Sequence, residues 1–178
     1  MNSSKLFTVK TTMEKEDYHK FLYISTFMKS KIKILFLLFF TAFLSGQISY
    51  NENYFDLKGF IIFWIILVMV AILAIIFKIE IKFRQIIKTD KTGLFDSPEI
   101  LDFYGDSLIV KSKVFEGEIK VKYTQIYKVF ESKNYFINYF NANQATLIRK
   151  KDMESEVIDS LRSLYKKNLK DKYKKVNI

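Results

Sequence analysis

Two long uncharged segments in the first half of the chain constrain its architecture most. Gly59 to Phe77 is a run of 19 residues without a charge, and Ile34 to Ile48 is a run of 15. A helix needs roughly 20 apolar residues, with a lower limit near 17, to cross the hydrocarbon core of a bilayer. The second segment reaches this length, and the first reaches it when Ile32 is added and Lys33 extends its ammonium to the interface. The sequence therefore predicts a membrane protein anchored by a two-helix hairpin.

The predicted hairpin divides the chain into three parts. Residues 1–30 form a cytosolic N-terminal arm with a short strand and an amphipathic helix. Residues 31–79 form the transmembrane hairpin, with helices at about 32–49 and 59–78. Residues 80–178 form a cytosolic β-domain with a C-terminal helix. We therefore predict an α+β membrane protein.

The distribution of charge predicts where each part lies. The net charge is +10; residues up to Lys33 carry +4, residues from Lys78 onward carry +7, and the loop between the helices carries −1. Basic residues favour the cytosolic side of a membrane, so both termini are predicted in the cytosol of a two-span protein of the cell membrane. Because topology explains most of the basic excess, nucleic acid is not a predicted partner.

The residue types exclude several kinds of site. The chain has no cysteine, which excludes disulfides, and its one histidine, His19, excludes a histidine-rich metal centre and is interpreted as a surface residue. No G-x-S-x-G, P-loop or H-E-x-x-H motif occurs. Two acidic pairs, Glu99 with Asp102 and Glu116 with Glu118, flank strands and turns, where charges are normally solvated. We therefore predict a non-enzymatic protein without a cofactor or a metal.

Short patterns add detail to the arm and the hairpin. Lys5 to Lys10 alternates apolar and polar residues, which predicts a strand. Thr11 to Glu14 matches the Ser/Thr-x-x-Glu capping box and predicts that a helix begins there. Ala42 and Gly46 form a small-xxx-small pair, which favours close approach of the two membrane helices. Trp64 is predicted to lie at the outer membrane interface.

From Glu99 onward the pattern has a period of two. Six short segments between turn residues predict an antiparallel meander or small barrel, with strands at 100–104, 107–113, 118–123, 126–131, 135–140 and 145–149. Asp152 is predicted to cap a helix from about Met153 to Lys172. An apolar stripe on that helix is predicted to cover the sheet. The stripe consists of Val157, Leu161, Leu164, Tyr165 and Leu169.

Several pieces of this region occur in an order that points to a family. They are Ile100-Leu101-Asp102-Phe103, Asp106-Ser107-Leu108, Tyr123-Thr124-Gln125-Ile126-Tyr127-Lys128-Val129, Glu131-Ser132-Lys133-Asn134-Tyr135-Phe136, Gln144-Ala145-Thr146-Leu147-Ile148-Arg149-Lys150 and the lead-in Thr11 to Lys20. Together they resemble the YcxB-like C-terminal domain of small bacterial two-span membrane proteins. The resemblance implies a bent antiparallel β-sheet of the pleckstrin-homology type, capped by a C-terminal helix, with Leu6 to Val9 as a further strand. It carries no catalytic residues.

Basic residues cluster after the second predicted membrane helix. The candidate site for anionic lipid consists of Lys78, Lys82, Arg84, Lys88 and Lys91. Each basic residue near an anionic leaflet contributes about 1 kcal/mol, so the cluster either contacts lipid head groups or serves to set topology. Lys29, Lys31 and Lys33 are predicted to join it. The periodicity does not decide between helix and strand for this segment.

The lysine-rich tail from Lys166 to Lys175 is a second candidate surface. It is predicted to rest on anionic lipid or on an acidic partner, or to be a solvated, frayed helix end. The best functional prediction is an interaction module, held at the membrane, that recognises lipid head groups or a membrane protein. The alternative is an immunity protein against a membrane-active bacteriocin or toxin, by analogy of architecture. The sequence does not indicate an oligomeric state.

Overall fold

A computed structural model of the chain shows an α+β protein with two compact units. It describes residues 4–29, 31–51, 54–91, 93, 95–112, 117–141 and 144–176. One unit contains the residues up to Tyr18 together with those from Asp90 onward, and the other contains His19 to Thr89. We call them the β-unit and the helical unit. The β-unit is therefore built from both sides of the helical segment.

The helices and strands follow one another with short connections. In chain order they are β1 (Phe7–Thr12), α1 (Lys15–Lys29), α2 (Lys31–Ser49), β2 (Tyr50–Asn51), β3 (Tyr54–Phe55), α3 (Leu57–Thr89), β4 (Pro98–Phe103), β5 (Ser107–Ser112), β6 (Glu118–Lys122), β7 (Lys128–Glu131), β8 (Tyr135–Tyr139), β9 (Ala145–Arg149), α4 (Ser155–Leu169) and β10 (Tyr173–Lys175). Strands β4 to β9 confirm the six strands predicted from the period of two, and β1 confirms a strand in the arm. The predictions did not include β10.

Two four-stranded sheets make up the β-unit. The first has the order β1-β4-β5-β6 and is antiparallel throughout. The second has the order β10-β7-β8-β9, in which β10 pairs with β7 in parallel. In the first sheet Leu101 lies between Val9 and Val110, and the apolar side chains of one face point to the same core.

Helix α4 completes the core of the β-unit. Its predicted apolar stripe is confirmed, because Leu161, Leu164, Tyr165 and Leu169 are buried. The ring of Tyr165 makes edge contacts with Phe103 at 6.2 Å and with Phe136 at 5.9 Å between centroids. Full burial of one such side chain contributes roughly 1.5–3 kcal/mol, so α4 is an integral part of the fold.

The two predicted helix caps are wrong, because both side chains serve other contacts. Thr11 lies in β1, and its hydroxyl donates to Asp152 at 2.9 Å. Helix α1 instead begins at Lys15, where the carboxylate of Asp17 accepts the backbone N–H of Glu14 at 3.3 Å. Asp152 lies in a 3-10 turn, and α4 begins later, after Glu154 at the N-cap position.

Helices α2 and α3 are long and apolar enough to cross a membrane. The candidate spans are Ile32–Ser49, with 18 residues, and Leu57–Thr89, with 33. Of the most apolar stretch, 17% is buried in the first helix and 0% in the second. A core helix of a soluble protein would have these side chains covered, so the exposed apolar surface is typical of helices that face lipid.

Helix α3 is longer than a membrane requires. At 1.5 Å per residue its 33 residues extend about 50 Å, whereas the hydrocarbon core is about 30 Å thick. The basic segment from Lys78 to Lys88 is the helical continuation of the apolar segment, which answers the question left open by its periodicity.

Polar side chains line the contact between α2 and α3. Thr41, Ser45 and Ser49 follow one another at four-residue intervals and are buried. The hydroxyl of Ser45 donates to the carbonyl of Phe60 at 2.6 Å, and the indole N–H of Trp64 donates to the Thr41 hydroxyl at 3.2 Å. Small side chains let helices approach closely. They do so here at Thr41 and Ser45, one position before the predicted pair Ala42 and Gly46.

Gly46 provides a matched control for this contact. A Cβ added to it would meet no atom within 4 Å, so we expect Gly46→Ala to leave the hairpin unchanged. Ser45→Leu adds bulk to a fully buried position and removes the hydroxyl, which should lower hairpin stability by about 1–3 kcal/mol. Trp64 is the single tryptophan, so its emission during transfer from mild to denaturing detergent measures the effect. Equal transitions for the two variants would contradict this account of the helix contact.

Candidate functional site

The structure places the predicted basic residues on one side of the α3 continuation. Lys78, Lys82, Arg84 and Lys88 lie in its last turns, Lys91 follows its end, and all five are exposed. At 3.6 residues per turn the four helical residues span an arc of about 160°. These residues therefore form a cationic side that covers about half of the helix circumference and also exposes Ile81.

The opposite side of the same segment is covered. Glu80 Oε1 lies 2.7 Å from Nε2 of His19 and accepts the hydroxyl of Tyr23 at 2.8 Å. The His19 ring also packs on Phe83, with 4.3 Å between ring centroids. His19 is only partly a surface residue, because its side chain is 34% exposed and takes part in the contact by which α1 packs on α3. This packing leaves the cationic side uncovered.

The other two predicted basic sets have different surroundings. Lys33 is exposed near the start of α2, whereas the side chains of Lys29 and Lys31 lie outside the described part of the structure. The tail is not a frayed helix end, because β10 pairs with β7 and Lys172 donates to backbone carbonyls, that of Ile126 at 3.0 Å among them. Main-chain and side-chain contacts thus hold the tail on the β-unit.

The first acidic pair does not form a pair in the structure. Residues three apart in a strand point to opposite faces, and this separates Glu99 from Asp102 in β4. Asp102 is buried, against the prediction of solvated surface, and contacts Thr8 at 2.5 Å, Lys111 at 3.2 Å and Lys5 at 3.4 Å. The hydrogen bond from Thr8 is the main cause that lowers the pKa of Asp102. Glu116 of the second pair lies outside the described residues.

A buried carboxylate at the end of β7 was not predicted. Glu131 is 0% exposed, and Arg162 of α4 donates to both of its oxygens, with contacts of 2.7 to 3.1 Å. Lys150 donates to it at 2.7 Å, and the hydroxyl of Tyr173 donates as well. Burial raises the pKa of Glu131, but the hydrogen bonds from Arg162, Lys150 and Tyr173 outweigh it and lower the pKa to about 2. The carboxylate is thus ionised and fully paired.

An open cavity of about 540 Å³ lies beside this carboxylate. Among the described residues, its lining consists of Glu131, Ser132, Lys133, Lys150, Arg162, Lys175 and Val176. Four of these side chains are cationic and one is anionic. One feature of the sequence indicated this site. Glu131 lies two residues after the core residue Val129 and therefore points to the same face of the strand, where a charged side chain needs partners.

Comparison with known families finds a match for the region that supplies most of the cavity lining. Residues 103–164 match the family model of the YcxB-like protein. Residues 103–164 are thus similar to the YcxB-like protein family. This match confirms the resemblance predicted from the sequence, and it extends from the end of β4 into α4. No curated protein and no solved structure matches the chain.

A second buried charge cluster ties the region that matches the family model to the N-terminal arm. Arg149 of β9, with 8% of its side chain exposed, contacts Glu14, Asp17 at 3.1 Å and Asp152 at 2.7 Å. The hydroxyl of Tyr135 donates to Asp17 at 2.7 Å. Residues of the arm and of β9 are more than 130 positions apart, so no local pattern indicated this contact. The cluster fixes the end of β1 and the start of α1 to the domain.

Proposed function

We propose that the protein is a non-enzymatic integral membrane protein whose cytosolic β-unit is an interaction module, positioned at the bilayer by contact with anionic lipid. The observation that carries this proposal is the exposed cationic side of α3, which continues directly from a helix with an exposed apolar surface. A helix that passes from lipid to water holds such side chains at the level of the head groups. Each basic residue there contributes about 1 kcal/mol toward an anionic leaflet.

The pairing of β1 with β4 supports a hairpin anchor. Strand β1 precedes both candidate spans and β4 follows both, yet Val9 lies opposite Leu101 in one antiparallel ladder. Two strands of one sheet occupy the same side of a bilayer, because the hydrocarbon core admits no open sheet edge. An even number of crossings meets this condition. The basic flanks of the spans favour the cytosol for both termini.

The strand order supports a pleckstrin-homology-type fold for the β-unit. A four-stranded antiparallel sheet is followed by the antiparallel strands β7, β8 and β9 and then by α4. This is the arrangement that the family resemblance implies. Folds of this kind serve many functions, so the proposed role rests on the cationic surface and not on the fold. Protection against a membrane-active toxin stays a prediction from architecture.

Lipid contact is tested with the full chain in nanodiscs that contain phosphatidylcholine with or without phosphatidylglycerol. We expect the triple variant Lys82→Ala, Arg84→Ala and Lys88→Ala to lose enrichment of phosphatidylglycerol around the protein, measured by native mass spectrometry. Each substitution should remove up to about 1 kcal/mol, and added salt should reduce the difference.

The matched control removes the same charge from exposed positions of the β-unit outside the lysine-rich tail, Lys10, Lys120 and Lys122. This control variant should retain the enrichment of phosphatidylglycerol. If the two triple variants lose it equally, the effect depends on net charge alone and the proposed lipid contact is wrong.

A further inference from the structure

The cavity beside Glu131 carries more positive charge than the protein itself compensates. Among the described residues that line it, Lys133, Lys150, Lys175 and Arg162 face a single carboxylate. Arg162 also pairs with Asp159 outside the lining, so four cations meet two carboxylates. The Glu131 carboxylate already accepts hydrogen bonds from Lys150 and Arg162. An ionised ligand with about two negative charges would therefore meet a surplus of cations and no unpaired lining carboxylate.

Glu131 holds two of these cations in place. Its bonds fix the guanidinium of Arg162 and the ammonium of Lys150, and Lys150 also donates to the carbonyl of Ser132 at 2.7 Å. An ammonium has three N–H donors and a guanidinium has five. The contacts described for Lys150 and Arg162 leave each of them with at least one N–H for a ligand. Glu131 thus acts as a positioning residue.

Lys133 and Lys175 supply the exposed part of the site. Both side chains are exposed, and within the described part of the chain neither has an ion-pair partner. Lys133 lies in the turn between β7 and β8, and Lys175 ends β10. Two strands of one sheet therefore bring these lysines to the same cavity, although 42 positions separate them in the sequence.

The size and the donors of the cavity indicate the class of ligand. Small-molecule pockets span roughly 300–1,000 Å³, and this cavity of about 540 Å³ exceeds what a phosphate ion needs. A phosphate monoester carries about 1.5 to 2 negative charges and three strong acceptor oxygens. The fixed N–H donors and the flanking lysines match this charge. The remaining volume of the cavity leaves room for the esterified group.

We propose that this cavity binds a phosphate monoester, with the phosphate held by Lys150, Arg162, Lys133 and Lys175. The proposal is independent of the lipid contact along α3, since no residue is shared between the two sites. The ligand is a soluble monoester or the monoester head group of a lipid, and the two sources present the same chemistry.

Binding is measured with the full chain in a non-ionic detergent by calorimetry with glycerol 3-phosphate, and in nanodiscs with phosphatidic acid against phosphatidylglycerol. We expect the variant Lys133→Gln/Lys175→Gln to bind the monoester probes roughly ten-fold more weakly per lysine. The control Lys120→Gln/Lys122→Gln has the same change of charge at exposed positions of β6 and should bind as the unmodified chain does. The α3 variant Lys82→Ala/Arg84→Ala/Lys88→Ala should also bind glycerol 3-phosphate normally.

The two probes distinguish the sources. Saturable binding of glycerol 3-phosphate that Lys133→Gln/Lys175→Gln weakens supports the site with a soluble ligand. Binding confined to phosphatidic acid, and weakened by the same variant, supports it with a lipid ligand. The proposal would be overturned if neither probe showed saturable binding. It would also be overturned if the two double-lysine variants bound the probes equally.

Discussion

Replacing Glu131 with Gln should lower the free energy of unfolding of the β-unit by about 3 kcal/mol. The substitution keeps the shape of the side chain but leaves Lys150 and Arg162 without their common counter-charge. Breaking a buried ion pair from one side destabilises proteins by about 3–5 kcal/mol. The lower end applies because the side chains of Lys150 and Arg162 are 14% and 26% exposed and keep some contact with water.

The loss should depend on pH. The pKa of Glu131 falls from an ordinary value of 4.5 to about 2 in the folded protein, so its contribution is complete above 4.5 and is lost as the pH falls toward 2. The shift corresponds to about 3 kcal/mol. The difference between the unmodified chain and Glu131→Gln should therefore shrink across this range. Peptide-resolved hydrogen exchange over β7 and β8 measures it in detergent.

Asp159 provides the control for Glu131. It also accepts a hydrogen bond from Arg162, but its side chain is 71% exposed. We expect Asp159→Asn to change stability by less than about 1 kcal/mol, because exposed ion pairs contribute little. Equal effects of Asp159→Asn and Glu131→Gln would show that burial of the carboxylate does not determine the stability of this cluster.

Replacing Arg149 with Met should destabilise the β-unit by about 3–5 kcal/mol and release the N-terminal arm. Asp17 and Asp152 would remain in place without their common cation, with side chains 6% and 17% exposed. Burial raises the pKa of Asp17, but hydrogen bonds from Tyr135 and Arg149 outweigh it and lower this pKa. Without Arg149 the carboxyl should take up a proton more readily, so the variant should lose less stability than the unmodified chain on acidification.

The neighbouring Lys151 separates this effect from a general loss of charge. Its ammonium contacts Glu14 at 3.2 Å but is 59% exposed. Lys151→Met should therefore change stability by no more than about 1 kcal/mol. Faster hydrogen exchange in β1 and in the first turn of α1 is expected for Arg149→Met. Unchanged exchange there would contradict the role of Arg149 in holding the arm.

Elements with a strong period were predictable from the sequence. The alternation in β4 to β9 and the apolar stripe around Leu161 and Tyr165 reflect burial on one face, which a local pattern records. The hairpin was predictable because a long uncharged segment has few other uses. The tail was misjudged because Tyr173 to Lys175 is too short and too basic to look like a strand, and its pairing with β7 depends on residues far away.

The polar contacts were not predictable, because they join positions that are distant in the chain. Thr11 matches a helix cap by spacing, but its hydroxyl donates a hydrogen bond to Asp152, which lies 141 residues later in the chain. Glu131 looks like an ordinary charged strand residue until α4 brings Arg162 to it. The basic cluster of α3 was predicted from the sequence. The contact between Glu80 and His19, which covers the opposite side of the helix, was not.

The ladder between β1 and β4 also fixes an order of events during synthesis. The 85 residues between Thr12 and Pro98 include both candidate spans. At about 5–20 residues per second, β1 waits roughly 4–17 s on the ribosome before its partner strand is made. The two apolar helices are made first, so the first sheet closes only after both of them have emerged. Until then β1 offers an unpaired edge, and the nascent arm is a substrate for chaperones or for mispairing.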